Sequence, residues 1–122
     1  MNNQGGLLRK KADSLYSRVI LARDRYCLID GHVATDAHHI VPQGLSEFLR
    51  YDLKNGVGLC LTCRRRADDC HPFALSILAG KIGIDRIGYL TEHRRDMVVL
   101  DVAYLTEAVR RLKKELRRYS SH

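Results

Sequence analysis

Cys27 stands alone, Cys60-Leu61-Thr62-Cys63 forms a Cys-x-x-Cys pair, and Cys70 follows closely. In a chain of 122 residues this pattern matters more than in a larger one. A domain of that size buries only about two-thirds of the surface its unfolded chain exposes, so a metal or a partner subunit is a plausible supplement to the core. The opening Met1-Asn2-Asn3-Gln4-Gly5-Gly6 is polar, and the amphipathic stretch after it is not a signal-peptide core. No run approaches the roughly 18 apolar residues that cross a bilayer. A soluble, cytoplasmic protein without a membrane partner is therefore expected, and in that compartment a Cys-x-x-Cys pair points to metal binding or redox chemistry rather than to disulfides.

The rest of the composition agrees with a single small domain. Hydrophobic residues make up 45% and charged residues 29%, with a mean hydropathy of −0.27, too apolar for a disordered chain. Twenty-one Lys and Arg oppose 14 Asp and Glu, a net charge of +7 that favours a polyanionic partner such as nucleic acid. Residues 1–72 and 73–122 both carry the excess, so no basic tail accounts for it.

Apolar residues at Leu8, Ala12, Leu15, Val19 and Ala22 recur at helical spacing and predict a helix over residues 7–25, with Lys10, Lys11, Arg18 and Arg25 on its outer side. Cys27-Leu28-Ile29 and Ala37-His38-His39-Ile40-Val41 read as strands either side of the Asp30-Gly31 turn, and Gly58–Leu61 as a third. A short helix is expected at Ser46–Tyr51, a loop at Asp52–Gly58 and a helix at Thr62–Asp69. Pro72 opens a helical last third: Phe73–Ala79 closed by Gly80, then Ile84–Arg95, then a final segment. In that segment Val102, Leu105, Val109, Leu112, Leu116 and Tyr119 form an apolar seam, for packing on the body or for a homodimer or protein partner, opposite a basic outer face.

The most informative stretch is Asp36-Ala37-His38-His39-Ile40-Val41-Pro42, followed by Asn55 and Leu59-Cys60-Leu61-Thr62-Cys63. At a strand end, one of two adjacent imidazoles can ligate a divalent cation while its neighbour, directed differently by the backbone, takes a proton from water. Residues 23–73, about two-fifths of the chain, resemble the HNH, or ββα-metal, nuclease family. The family pattern is a Cys-x-x-Cys knuckle, a His-His-Ile-x-Pro run, a central Asn, and then Leu-Cys-x-x-Cys-His with another His four residues later. Here those positions hold Cys27-x-x-Asp30, His38-His39-Ile40-Val41-Pro42, Asn55, and Leu59-Cys60-x-x-Cys63-Arg64-x-x-x-Asp68.

The resemblance implies a metal-dependent DNA endonuclease. His38 would ligate the catalytic metal, His39 would be the general base, and Asn55 would hold the loop that orients His39. Two positions depart from the pattern, because Arg64 and Asp68 stand where His is usual. Asp68 suits Mg²⁺ or Mn²⁺ as an oxygen ligand, whereas Arg64 ligates no cation. Asp69 and His71 are substitute ligands if the helix is offset. Cys27, Cys60 and Cys63 would hold a structural Zn²⁺, with Asp30 or His32 as fourth ligand and Cys70 as a further candidate. Arg64, Arg65 and Arg66 would face the DNA backbone.

More loosely, His71-Pro72-Phe73-Ala74-Leu75 resembles the run leading into the helices of small phage-encoded members of the family. The expected fold is therefore α+β: one HNH-like domain with an N-terminal helix (7–25), a ββα-metal core (26–72) and a helical extension (73–122). The alternative function is a weakened or inactive, zinc-stapled DNA-binding or adaptor protein.

Overall fold

The computed structural model describes residues 3–120, Ser120 by its backbone alone; Met1, Asn2 and the last two residues of the expected extension lie outside them. The first helix, α1 (Gln4–Asp24), begins before the expected Leu7. The extra turn forms despite the helix-weakening Gly5 and Gly6, and the Leu7 N–H closes it on Asn3 O at 3.0 Å. Ala12, Leu15, Tyr16, Val19 and Ile20 form its buried stripe. Arg25, at φ 60°, ends the helix with its N–H returned to Leu21 O.

Cys27-Leu28-Ile29, expected as a strand, is a tight loop closed by the Gly31 N–H on Cys27 O at 2.9 Å. Gly31 supplies the φ of 80° that the turn requires and that a residue with a Cβ adopts only under strain. A single antiparallel bridge, Tyr26 with Val33, crosses the loop.

The sheet consists of β1 (Asp36–His39) and β2 (Gly56–Leu59), antiparallel, with Asp36 opposite Leu59, His38 opposite Val57 and His39 opposite Gly56. β1 stops short of the expected Val41 because the Val41 N–H bonds to Asn55 Oδ1 at 2.7 Å and Pro42 has no N–H to offer. β2 starts two residues before the expected Gly58. Gly56 is placed by helix packing, since a Cβ there would sit 2.5 Å from the Tyr16 hydroxyl and 2.7 Å from Ile20 Cδ1.

Between the strands, the helix expected at Ser46–Tyr51 is a series of turns, followed by a 3-10 helix at Leu53–Asn55. The Leu49 N–H goes to the Ser46 hydroxyl at 3.1 Å, and the N–H groups of Arg50 and Asp52 bond only three residues back, to Glu47 O and Leu49 O at 3.2 Å, so no α-helical ladder forms.

Four helices complete the chain: α2 (Leu61–Asp68), α3 (Pro72–Ile82), α4 (Ile84–His93) and α5 (Val102–Ser120). Cys60 caps α2, and His71 caps α3 with Nδ1 accepting from the Ala74 N–H at 3.3 Å. α3 runs through Gly80, the expected stop, because the left-handed residue that ends it is Gly83 at φ 89°. α4 ends two residues before the expected Arg95.

Strand alternation divides the interior in two. Val57 and Leu59 point into a small core with Cys27, Cys63, Ala67 and Leu78. On the opposite face the glycines of β2 let α1 approach, and α1 packs along α5 in a larger core of Ala12, Leu15, Tyr16, Val19 and Ile20 against Leu105, Ala108, Val109 and Leu112. The seam of the final helix is thus covered by the chain's own α1. Its remaining surface is the basic outer face. The architecture is α+β, and no helix among the described residues is long and apolar enough to cross a membrane.

Candidate metal centre and the histidine pair

One ligand atom from each of Cys27, Asp30, Cys60 and Cys63 lies within 4.8 Å of the other three, a compactness that no other group of three or more His, Cys, Asp or Glu reaches among the described residues. The Asp30-Gly31 turn brings the first pair in, and the start of α2 presents the second. Asp30 Oδ1 accepts the His32 N–H at 3.0 Å, which leaves Oδ2 to receive the thiols of Cys60 and Cys63, both at 3.2 Å. The His32 N–H, followed by the Cys63 thiol, holds the Asp30 carboxyl far below the usual carboxylate range. Burial, followed by the bond to Asp30, pushes the Cys63 thiol well up.

The Cys63 thiol therefore keeps its proton in the absence of a cation, and a bound cation would reverse that preference. A tetrahedral Zn²⁺ with bonds of about 2.3 Å to sulfur places its ligand atoms roughly 3.8 Å apart, which matches this donor set. Between the two expected fourth ligands the geometry selects Asp30. His32 is carried outward by the left-handed Gly31; its ring is 79% exposed and its Nδ1 lies 3.1 Å from Asp30 Oδ2. Cys70 is exposed, outside the cluster, and all four cysteines are free thiols.

Because neighbouring residues of a strand face opposite ways, the two histidines diverge. His38 shares the face of Val57 and turns to α2, where its Nδ1 lies 3.5 Å from Asp68 Oδ1. Burial lowers its pKa against the pull of Asp68. His39 turns to α1 and stacks on Tyr16, the ring centroids 4.8 Å apart. His39 Nε2 lies 2.9 Å from Arg50 O; a carbonyl only accepts, so this nitrogen carries the hydrogen. Nδ1 is then the ring's lone-pair nitrogen, on the solvent side with the Gln43 amide 3.4 Å away. Burial also lowers the pKa of His39, which favours the neutral ring.

Asn55 is fully buried beneath the pair. Its Oδ1 accepts from the Val41 N–H, its Nδ2 donates to Val41 O at 3.0 Å and Leu49 O at 3.2 Å, and its own carbonyl accepts from the Ile40 N–H at 2.8 Å. Both ends of the loop that flanks His39 are fastened to this one side chain.

Arg64 lies within the site. Nη1 donates to Asp36 Oδ2 at 3.0 Å, and Nε is 3.4 Å from Asp68 Oδ2. Arg65 and Arg66 are exposed on α2. The substitute ligands recede: Asp69 is exposed beyond the end of α2, and His71 is engaged as the cap of α3.

Three participants were not singled out from the sequence. Asp36 had a signal, because it lies two residues before His38 on the same face of a strand. Tyr16 and the Arg50 carbonyl had none, since only folding brings residues so distant in the chain against His39. A cavity of about 320 Å³, which neither histidine lines, is bounded by Ile40, Val41, Pro42, Leu45, Arg94 and Arg95.

No family model, curated protein or solved structure matches the chain.

Proposed function

We propose that this protein is a metal-dependent DNA endonuclease of the ββα-metal, HNH kind, with a structural zinc at Cys27, Asp30, Cys60 and Cys63. The carrying observation is the divergence of His38 and His39, one facing the Asp68 carboxylate and the other tied to Arg50 O with Nδ1 on the open side. The Asp68 carboxylate oxygen suits Mg²⁺ or Mn²⁺, and His38 would complete the protein's share of the site, leaving room for water and a substrate phosphate. When bound, that ion stabilises charge on the phosphate and on the leaving oxygen.

His39 Nδ1 takes a proton from water as the water oxygen attacks phosphorus and the bond to the 3′ oxygen breaks. Arg50 O accepts from Nε2–H throughout, stabilising the positive charge the ring acquires. Asn55 keeps the loop, and with it the ring, in place. The exposed Arg65 and Arg66 supply backbone contacts, together with Arg94 and Arg95 at the cavity bounded by Ile40 and Pro42. A reducing cytoplasm suits four free thiols.

A plasmid-nicking assay tests the reading. Nicks should appear with Mg²⁺ or Mn²⁺, vanish with EDTA, and fall by about 10²- to 10⁴-fold in His39→Ala, the range for loss of a general base. The gel-mobility shift of DNA should persist in that variant. The alternative, an inactive zinc-stapled DNA-binding or adaptor protein, is favoured by the guanidinium of Arg64 on Asp68. It requires a mobility shift and no nicks with either metal.

A further inference from the structure

Arg64 has no part in the chemistry above, yet its position is closely determined. It sits one helical turn before Asp68 on α2 and reaches across to Asp36 on β1. One carboxylate is therefore shared: Asp68 Oδ1 faces His38 Nδ1 and Asp68 Oδ2 faces Arg64 Nε. The chain itself supplies the positive charge a divalent ion would bring. The two contacts of Arg64 are unequal. Nη1 makes a hydrogen bond to Asp36 at 3.0 Å, whereas the buried Nε–H forms none, its approach to Asp68 being a looser 3.4 Å.

We propose that Arg64 is a displaceable latch on the catalytic metal site: it neutralises Asp68 until a DNA phosphate draws the guanidinium away, so that DNA and the divalent cation bind cooperatively. The inference rests on the reading of His38 and Asp68 as metal ligands. The contact with Asp68 is the one that breaks, because both side chains are more than two-fifths exposed and such pairs are weak. The contact with Asp36, whose carboxylate is 19% exposed, is the pivot. A guanidinium presents its donors in a planar fork that matches two phosphate oxygens, so the bound strand offers a better partner than the loose one at Asp68. Reciprocity follows: if DNA tightens the metal, the metal tightens DNA by the same factor.

The test is a Mn²⁺ titration of the zinc-loaded protein, with free Mn²⁺ followed by electron paramagnetic resonance. It is run without DNA and with a short duplex, the duplex alone serving as the blank. Removing a positive charge a few ångströms from the ion should tighten DNA-free Mn²⁺ binding roughly tenfold in Arg64→Ala, and the gain produced by the duplex should shrink. Arg64→Gln should behave alike, and retained zinc shows that both variants fold. Asp68→Asn should abolish the Mn²⁺ signal. If Mn²⁺ binds through Asp68 yet Arg64→Ala and Arg64→Gln bind it no more tightly than the parent, the latch is overturned and the endonuclease reading stands. If neither the parent nor Arg64→Ala binds Asp68-dependent Mn²⁺ even with duplex, the metal-site reading fails and the latch with it.

Discussion

The two cores that flank β2 are held together by different means. On the α1 side, nine buried residues interlock two long helices, with Tyr51 and Leu100 packed beside them, all of them apolar or aromatic. On the α2 side six residues suffice, and two of these, Cys27 and Cys63, are also candidate metal ligands. The larger core is the kind a helix pair builds from side-chain packing alone. The smaller gathers a loop, a strand, α2 and one residue of α3 around little apolar surface, and a metal held by the four converging ligand atoms would make up the difference. The histidine pair lies on the strand between them. His39 is steadied by the large core through Tyr16, while His38 belongs to the half that carries the candidate metal centre.

If this contrast is right, losing zinc should have the largest effect. Cys63→Ser, or exhaustive chelation, should lower stability by about 4 kcal/mol, the contribution of a ligand present at a thousand times its dissociation constant. Hydrogen exchange should show the loss concentrated in β2 and α2, with α1 and α5 still protected; uniform loss would break the comparison. Leu105→Ala, in the large core, should cost about 3 kcal/mol in denaturant titrations while zinc stoichiometry stays at one per folded chain. Gly56→Ala should follow, at about 2 kcal/mol from overpacking against Tyr16 and Ile20, with raised exchange on the α1 side of the sheet.

The smallest effect near neutral pH, and the one most specific to the large core, is alkaline. Burial and the hydrogen bond to Asp13 push Tyr51 up to about 12, and burial pushes Tyr16 higher still. The folded chain therefore prefers both phenols protonated. Their contribution is complete below pH 10, where unfolded tyrosine also keeps its proton, and is lost as pH rises from 10 towards 12. Denaturation midpoints measured across that window should fall, and Tyr51→Phe should flatten the decline; an unchanged slope would remove Tyr51 from the account.

Much of this could be read from the chain itself because the relevant signals are local. The buried stripe of α1 and the seam of α5 repeat every three or four residues, and such a period makes a helix wherever it occurs. The cysteine spacing and the adjacent histidines were equally visible, as was the departure at Arg64 and Asp68. Failures cluster where a single side-chain hydrogen bond or one glycine's backbone angle, rather than a repeating period, decides the local structure. At Ser46–Tyr51 the Ser46 hydroxyl takes the Leu49 N–H and the following N–H groups bond three residues back, so turns replace the expected helix. Gly80 passes unremarked inside α3 because the stop lies at Gly83.

Sequence alone determined which residue types were present to bind a metal or move a proton, since that depends on side-chain chemistry, and where helices form, since that depends on a short repeating period. Tertiary structure decided which donors meet. Asp30 rather than His32 joins the cysteines because one left-handed glycine turns the backbone between them, and Arg64 reaches Asp68 and Asp36 together because β1 lies against α2. Proximity across a fold is set by packing between distant segments, and no local pattern records it.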